Sequence, residues 1–293
     1  MTRFATILQG HWDWRAAGNF LLGGAGSALL AWSALAAVGG AVTPWPMLLA
    51  LALVGAGLAC VWLEIGRPWR ALNVFRHPQR SWMTREGLVA TFAFALGLGA
   101  AVTGGVALLI AAGVAGLAFL YCQARILAAA KGVPAWREPA IVPLIVVTGL
   151  AEGIALLALF VAAGGARAAW LPWTLAALAL LRVFTWRHYR GRLAASGAPA
   201  TTQSRLARID PLPVGSGWVT AVLAVGAALA PAPADAILLA LAGLAAVIGG
   251  WAMKFTIVTR AAHLQGYAFG RLRRGHPLDK ARVSANPTLR TTR

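Results

Sequence analysis

Eight apolar runs, most of them close to the roughly 20 residues a helix needs to cross a bilayer, divide this chain. They lie at Ala16–Gly39, Pro46–Leu63, Gly87–Val102, Val106–Ala130, Ala140–Ala163, Leu171–Trp186, Trp218–Ala230 and Asp235–Thr259. Backbone placed in hydrocarbon must satisfy its own hydrogen bonds, so runs of this length point to helices. The expected fold class is therefore all-α, a polytopic integral membrane protein of eight transmembrane helices. Composition agrees: 59% of the 293 residues are hydrophobic and 12% charged, against about 25% charged in soluble proteins. The expected organisation is an eight-helix transmembrane domain over 1–260 and a basic cytoplasmic tail over 261–293. The third and fourth runs are parted only by Thr103-Gly-Gly105, which reads as a tight hairpin. Ser196–Ser204 reads as a flexible connector. Met1–Arg15 is polar and aromatic, and the apolar run behind it exceeds the roughly 7–15 residues of a signal h-region, so no cleavable signal is expected.

Charge then orients the helices. The formal net charge is +18, but the basic residues fall in loops rather than on one soluble face, which argues against a nucleic-acid partner. With eight spans, 25 of the 26 Lys and Arg residues lie on or nearest one side, and only Arg167 lies opposite. By the positive-inside rule that side, with both termini, is cytoplasmic. The basic tail, with Tyr267, Phe269 and Leu272 interleaved, reads first as an anchor to anionic membrane lipid, with docking of a soluble partner as the alternative.

The chain supplies few ligands for a resident redox centre. Its two cysteines, Cys60 and Cys122, are too few for an iron–sulfur cluster or a zinc site and read as small buried apolar residues. The five histidines, His11, His77, His188, His263 and His276, fall in loops or at helix ends, so no haem and no metal are expected.

Inside the spans, Glu152 sits in Gly149-Leu-Ala-Glu-Gly153, where the two glycines allow close helix approach. It reads equally as a protonated packing residue or as a proton-relay station. Lys254, Arg125 and Arg182 stand near helix ends, from which long basic side chains reach the interface. Asn19 is a possible polar lining residue near the start of the first span.

The chemistry concentrates in the polar run from Glu64 to Glu86, which holds two carboxylates, five arginines, His77, Trp69, Phe75 and Trp82. Glu86 and Glu64 are the candidates for proton exchange at one interfacial level. Arg67 or Arg70 is the expected partner of Glu64, and Ser81 or Thr84 the expected cap of the next helix. Arg67, His77, Arg85 and Trp82 are candidates for binding a headgroup or docking a subunit. Such a set suits a quinone: a carboxylate exchanges the ring oxygen's proton, cations favour negative charge on the ring, and aromatic side chains flank it.

Gly66-Arg-Pro-Trp-Arg-Ala-Leu-Asn73, Ser81-Trp-Met-Thr-Arg-Glu86, Tyr121-Cys-Gln-Ala-Arg125 and Val133-Pro-Ala-Trp136 resemble the eight-helix anchor subunit of DMSO-reductase-type molybdoenzymes, the DmsC-like branch of the NrfD/PsrC superfamily. The resemblance implies a non-catalytic, quinone-site subunit in the bacterial inner membrane. Its partners would be a molybdopterin catalytic subunit and an iron–sulfur electron-transfer subunit, and its substrate menaquinone or ubiquinone. It also implies that Glu86 is the quinol-site glutamate and that Glu64 replaces a histidine of the family. Because the motif side is the basic side, the partners are expected on the cytoplasmic face. That makes the chain similar to the membrane subunit of phenylacetyl-CoA:acceptor oxidoreductase. A sulfoxide or polysulfide reductase anchor is the alternative within the family, and a secondary transporter or a purely structural anchor the alternative outside it.

Overall fold

The computed structural model describes residues 6–40, 44–64, 79, 81–164 and 168–264. Arg67, Arg70 and His77, with the whole 66–73 stretch, lie outside the described residues. Among the described residues eleven α-helices follow one another and form a helical bundle. The first span is one continuous run, Trp14–Val38, made of α1 (Trp14–Gly18), a π-turn (Asn19–Gly23) and α2 (Gly24–Val38). Next come α3 (Trp45–Glu64), α4 (Trp82–Thr103), α5 (Val106–Ala129), the single turn α6 (Pro134–Arg137), α7 (Ile141–Ala162) and α8 (Trp170–Ala195). The short α9 (Ala200–Ile209), α10 (Pro211–Leu229) and α11 (Ala234–Phe255) complete the bundle, and a second π-turn (Thr256–Arg260) extends α11.

Seven of the described helical segments are long and apolar enough to cross a membrane. The expected sixth run, Leu171–Trp186, lies inside α8, which is helical for 26 residues. Arg182 at its middle and Arg187, Arg190 and Arg192 in its second half add charge and lower its hydropathy. The expected third and seventh runs begin earlier than their apolar residues suggest, at Trp82 and Pro211. In each, a favourable start extends the helix into polar sequence: the Ser81 hydroxyl accepts from Thr84 N, and Pro211 occupies the first turn. The Thr103–Gly105 hairpin is present, with Gly104 closing α4 in the left-handed conformation at φ 65°.

The expected flexible connector at Ser196–Ser204 is not one. Gly197 turns the chain at φ 68°, and α9 starts at Ala200. Thr202 and Leu206, four residues apart, bury one face of α9 while Arg205 and Arg208 point outward. This amphipathic pattern outweighs the Ser/Thr-rich composition.

At the centre of the bundle, α2 and α7 pack on each other, with α3 and α5 around α2, and α8 and α11 around α7. Small residues set the spacing. A side chain on Gly153 would start 2.5 Å from the Leu29 backbone nitrogen, so only glycine permits the α2–α7 contact. Its partner in the motif, Gly149, is filled by the Leu120 side chain of α5.

A feature with no sequence signal ties the two ends together. Ile7–Leu8 (β1) pairs antiparallel with His263–Leu264 (β2). Gln9 extends the tie, its backbone N–H donating to Ala262 O at 2.9 Å and its side chain to Trp12 O and Val258 O. Trp12 stacks on Trp136 at 4.7 Å, and Trp136 Nε1 donates to Ile257 O at 2.9 Å. Asp13 caps α1, and the Arg15 guanidinium beside it holds its carboxyl below the usual carboxylate range.

Candidate functional site

The Ser81 cap fixes the first turn of α4 and thereby the direction of each following side chain. Glu86, in the second turn, points inward and is 4% exposed. Facing it is Asn19, carried by the first π-turn. Asn19 Nδ2 donates to Glu86 Oε1 at 3.1 Å. A π-turn inserts an extra residue into a helical turn, disturbs the backbone ladder and re-aims side chains. Here the carbonyls of Asn19 and Phe20 take side-chain donors, Gln123 Nε2 and Lys254 Nζ, each at 2.8 Å. Room comes from glycine: a side chain on Gly57 of α3 would start 2.7 Å from Gly23 N and 3.1 Å from Asn19 Oδ1.

Outside Glu86 lies a cationic and aromatic lip. The Arg85 guanidinium stands 4.2 Å from the centre of the Trp82 ring, and that of Arg125 4.8 Å from it. Tyr121 meets Trp82 edge-on at 5.8 Å and accepts from Arg125 Nη1 at 3.3 Å. The stretches Ser81–Glu86 and Tyr121–Arg125 thus meet, with the buried Glu86 carboxylate on the same start of α4 as the edge-to-face rings and the guanidiniums. Arg125 is held in this lip, so the expectation that it simply reaches the interface is too plain.

Glu64 is placed differently. It is the last residue of α3 and only half-buried, whereas Glu86 is enclosed. The end of α3 is contacted by Arg15, whose Nη1 donates to Leu63 O at 3.0 Å while the side chain pairs with Asp13. Among the described residues, Glu64 takes no part in the hydrogen bonds around Glu86.

Deeper in the bundle, Glu152, Lys254 and Arg182 are fully buried. Lys254 Nζ donates to Glu152 Oε2 at 2.5 Å as well as to Phe20 O. Arg182 donates to Ala246 O and, at 3.1 Å, to Ser216 Oγ. Neither basic side chain reaches an interface, contrary to the expectation from its distance to a helix end. The reason is facial: both project into the bundle, where a carboxylate and open carbonyls meet them. Gly250 makes the space, since a side chain there would begin 3.0 Å from Glu152 Cδ. Gln123 Oε1 and Lys254 Nζ both lie 2.9 Å from the point where a Gly24 side chain would start. Polar groups therefore follow one another from Glu86 through Asn19 and Gln123 to Lys254 and Glu152. Asn19 Oδ1, Gln123 Oε1 and Glu152 Oε1 are buried acceptors with no donor among the described residues.

Residues 36–191 match the family model for the DMSO reductase anchor subunit (DmsC). The chain belongs to the DmsC family. It is a multi-pass membrane protein, and the family is one of membrane anchor subunits of DMSO reductase-type complexes. No curated protein matches the chain. The DmsC match covers Glu64, Glu86, Gln123, Glu152 and Arg182, while Asn19 and Lys254 fall outside the matched residues. Gln123 stood inside a motif stretch at the sequence level without being singled out, and its signal was an amide inside an otherwise apolar helix. Lys254 had the stronger signal, a charge opposite Glu152 on another span, but sequence alone does not say which faces meet.

Proposed function

We propose that this DmsC-family chain is the membrane anchor and quinone-reactive subunit of a molybdopterin and iron–sulfur oxidoreductase, with Glu86 as the proton-exchanging group. The observation that carries the reading is the enclosed Glu86 carboxylate, held by Asn19 behind the lip of Trp82, Arg85, Tyr121 and Arg125. These groups fit a quinone. The rings offer flat apolar faces, the guanidiniums favour negative charge on the headgroup, and Asn19 Oδ1 is a free acceptor beside the acid. Interconversion of quinone and quinol moves two electrons and two protons. The electrons pass to or from a partner iron–sulfur subunit. On oxidation Glu86 takes the two ring-hydroxyl protons in turn, passing the first on before it accepts the second, and on reduction it returns two in the same way. Asn19 orients the carboxylate, Glu64 exchanges protons nearer water, and the Lys254–Glu152 pair relays them within the bundle.

We further propose eight spans, with α8 as the additional one. Two features support this. α8 packs between α7 and α10 in the bundle. The β1–β2 pair holds residues 7–8 beside residues 263–264, so the number of crossings between them must be even. Seven apolar segments plus α8 satisfy that parity. The basic side is then cytoplasmic, the partners dock there, and a cytoplasmic substrate such as phenylacetyl-CoA fits better than an outer-face sulfoxide.

The test is Glu86→Gln in the purified complex. Quinone-linked turnover is expected to fall about 100-fold or more, the scale of losing a positioned acid–base group. Dye-linked activity of the soluble subunits should be unchanged. Quinone turnover that survives the substitution would remove the assignment and leave a structural anchor.

A further inference from the structure

A groove of the bundle lies apart from Glu86 and from the Glu152–Lys254 pair. It lies between α9, the start of α10 and the last turns of α11, and holds about 560 Å³. Its lining combines two chemistries. Arg205, Arg208 and Arg260 are cationic, while Leu21, Ile209, Leu212 and Phe255 are apolar. The arginines are there because of local structure. With Thr202 and Leu206 turned into the bundle, α9 holds Arg205 and Arg208 outward. Arg260 closes the second π-turn, its guanidinium 5.4 Å from the centre of the Phe255 ring.

None of these three arginines is paired with a carboxylate among the described residues. The nearest acid in sequence, Asp210, is already held by Arg190 at 2.6 Å and by Trp186 Nε1 at 2.8 Å.

We propose that this groove is a binding site for one anionic phospholipid. Guanidiniums bind phosphate oxygens in charge-assisted, often bidentate hydrogen bonds. The apolar walls suit the start of the acyl chains. A free phosphate would use the arginines and leave the apolar lining uncovered. Basic pockets between membrane helices take anionic headgroups for this reason. The bound lipid ties α9 to the end of α11. The proposal does not depend on the quinone reading.

The experiment uses the full chain, purified in detergent and stripped of lipid, then titrated with phosphatidylglycerol, phosphatidylcholine or inorganic phosphate under native mass spectrometry. One phosphatidylglycerol should bind in clear preference to phosphatidylcholine. Arg205→Gln, Arg208→Gln and Arg260→Gln should each lower that affinity about fivefold, and the triple variant should abolish the preference. A control with the same loss of charge elsewhere, Lys131→Gln, Arg137→Gln and Arg192→Gln together, should keep it. Equal binding of the two lipids would overturn the proposal, as would equal loss in the control. Displacement of phosphatidylglycerol by inorganic phosphate at matching concentration would overturn it too, by making the site one for phosphate alone.

Discussion

Lys254 and Glu152 set the terms at the scale of single residues. Each ion loses several kcal/mol of hydration on burial, and the pair recovers this only while both partners are present. Lys254→Met should therefore destabilise the chain by about 3–5 kcal/mol, because it strands the Glu152 carboxylate. Adding Glu152→Gln should restore much of the loss, and thermal unfolding of the purified chain measures both. A double variant no better than the single one would mean that the pair does not act as a unit. At this scale the sequence was legible where a residue's role follows from its place along a helix. The Ser81 cap of α4 is of that kind. It was not legible where the role depends on which face meets which: Lys254 and Arg182 were expected to reach outward because distance from a helix end carries no angular information.

Between elements, backbone proximity decides what is tolerated. The α2–α7 contact closes on Gly153, so Gly153→Val should force the helices apart and cost about 1–3 kcal/mol, the range for overpacking. Gly191, in α8, meets nothing within 4 Å of where a side chain would start. Gly191→Ala should instead stabilise by about 0.5–1 kcal/mol through helix propensity. Chemical denaturation of the two variants against the parent separates packing from propensity. The glycine pair around Glu152 was readable as a close-approach motif, and Gly153 fulfils it. The π-turns left no comparable trace, since an inserted residue changes the hydrogen-bond ladder without changing hydropathy. The connector before α9 misled for a related reason, as a Ser/Thr-rich composition concealed two buried positions one helical turn apart.

For the whole molecule, the testable quantity is sidedness. A reporter that fluoresces only in the cytoplasm should glow when fused at either end of the chain. It should stay dark when inserted at the 104–105 or 232–233 turns. Ends on opposite faces would refute the eight-span proposal and conflict with the β1–β2 pairing. The helical, membrane-spanning character was legible from run length alone, while the arginines of α8 lower its hydropathy and leave it outside the seven strongly apolar helices.

The β1–β2 pair has a further consequence, for assembly in time. Ile7 and Leu8 are made some 250 positions before His263 and Leu264. At roughly 5–20 residues per second, tens of seconds of synthesis separate the two strands. Until then Gln9 lacks Val258 and Ala262, and the Glu152 carboxylate waits in an incomplete bundle for the lysine of α11. The tie is thus a seal that closes only once residue 264 has been made, and a product ended before Lys254 would present an unpaired β1 strand and an unneutralised acid to the quality-control machinery of the membrane.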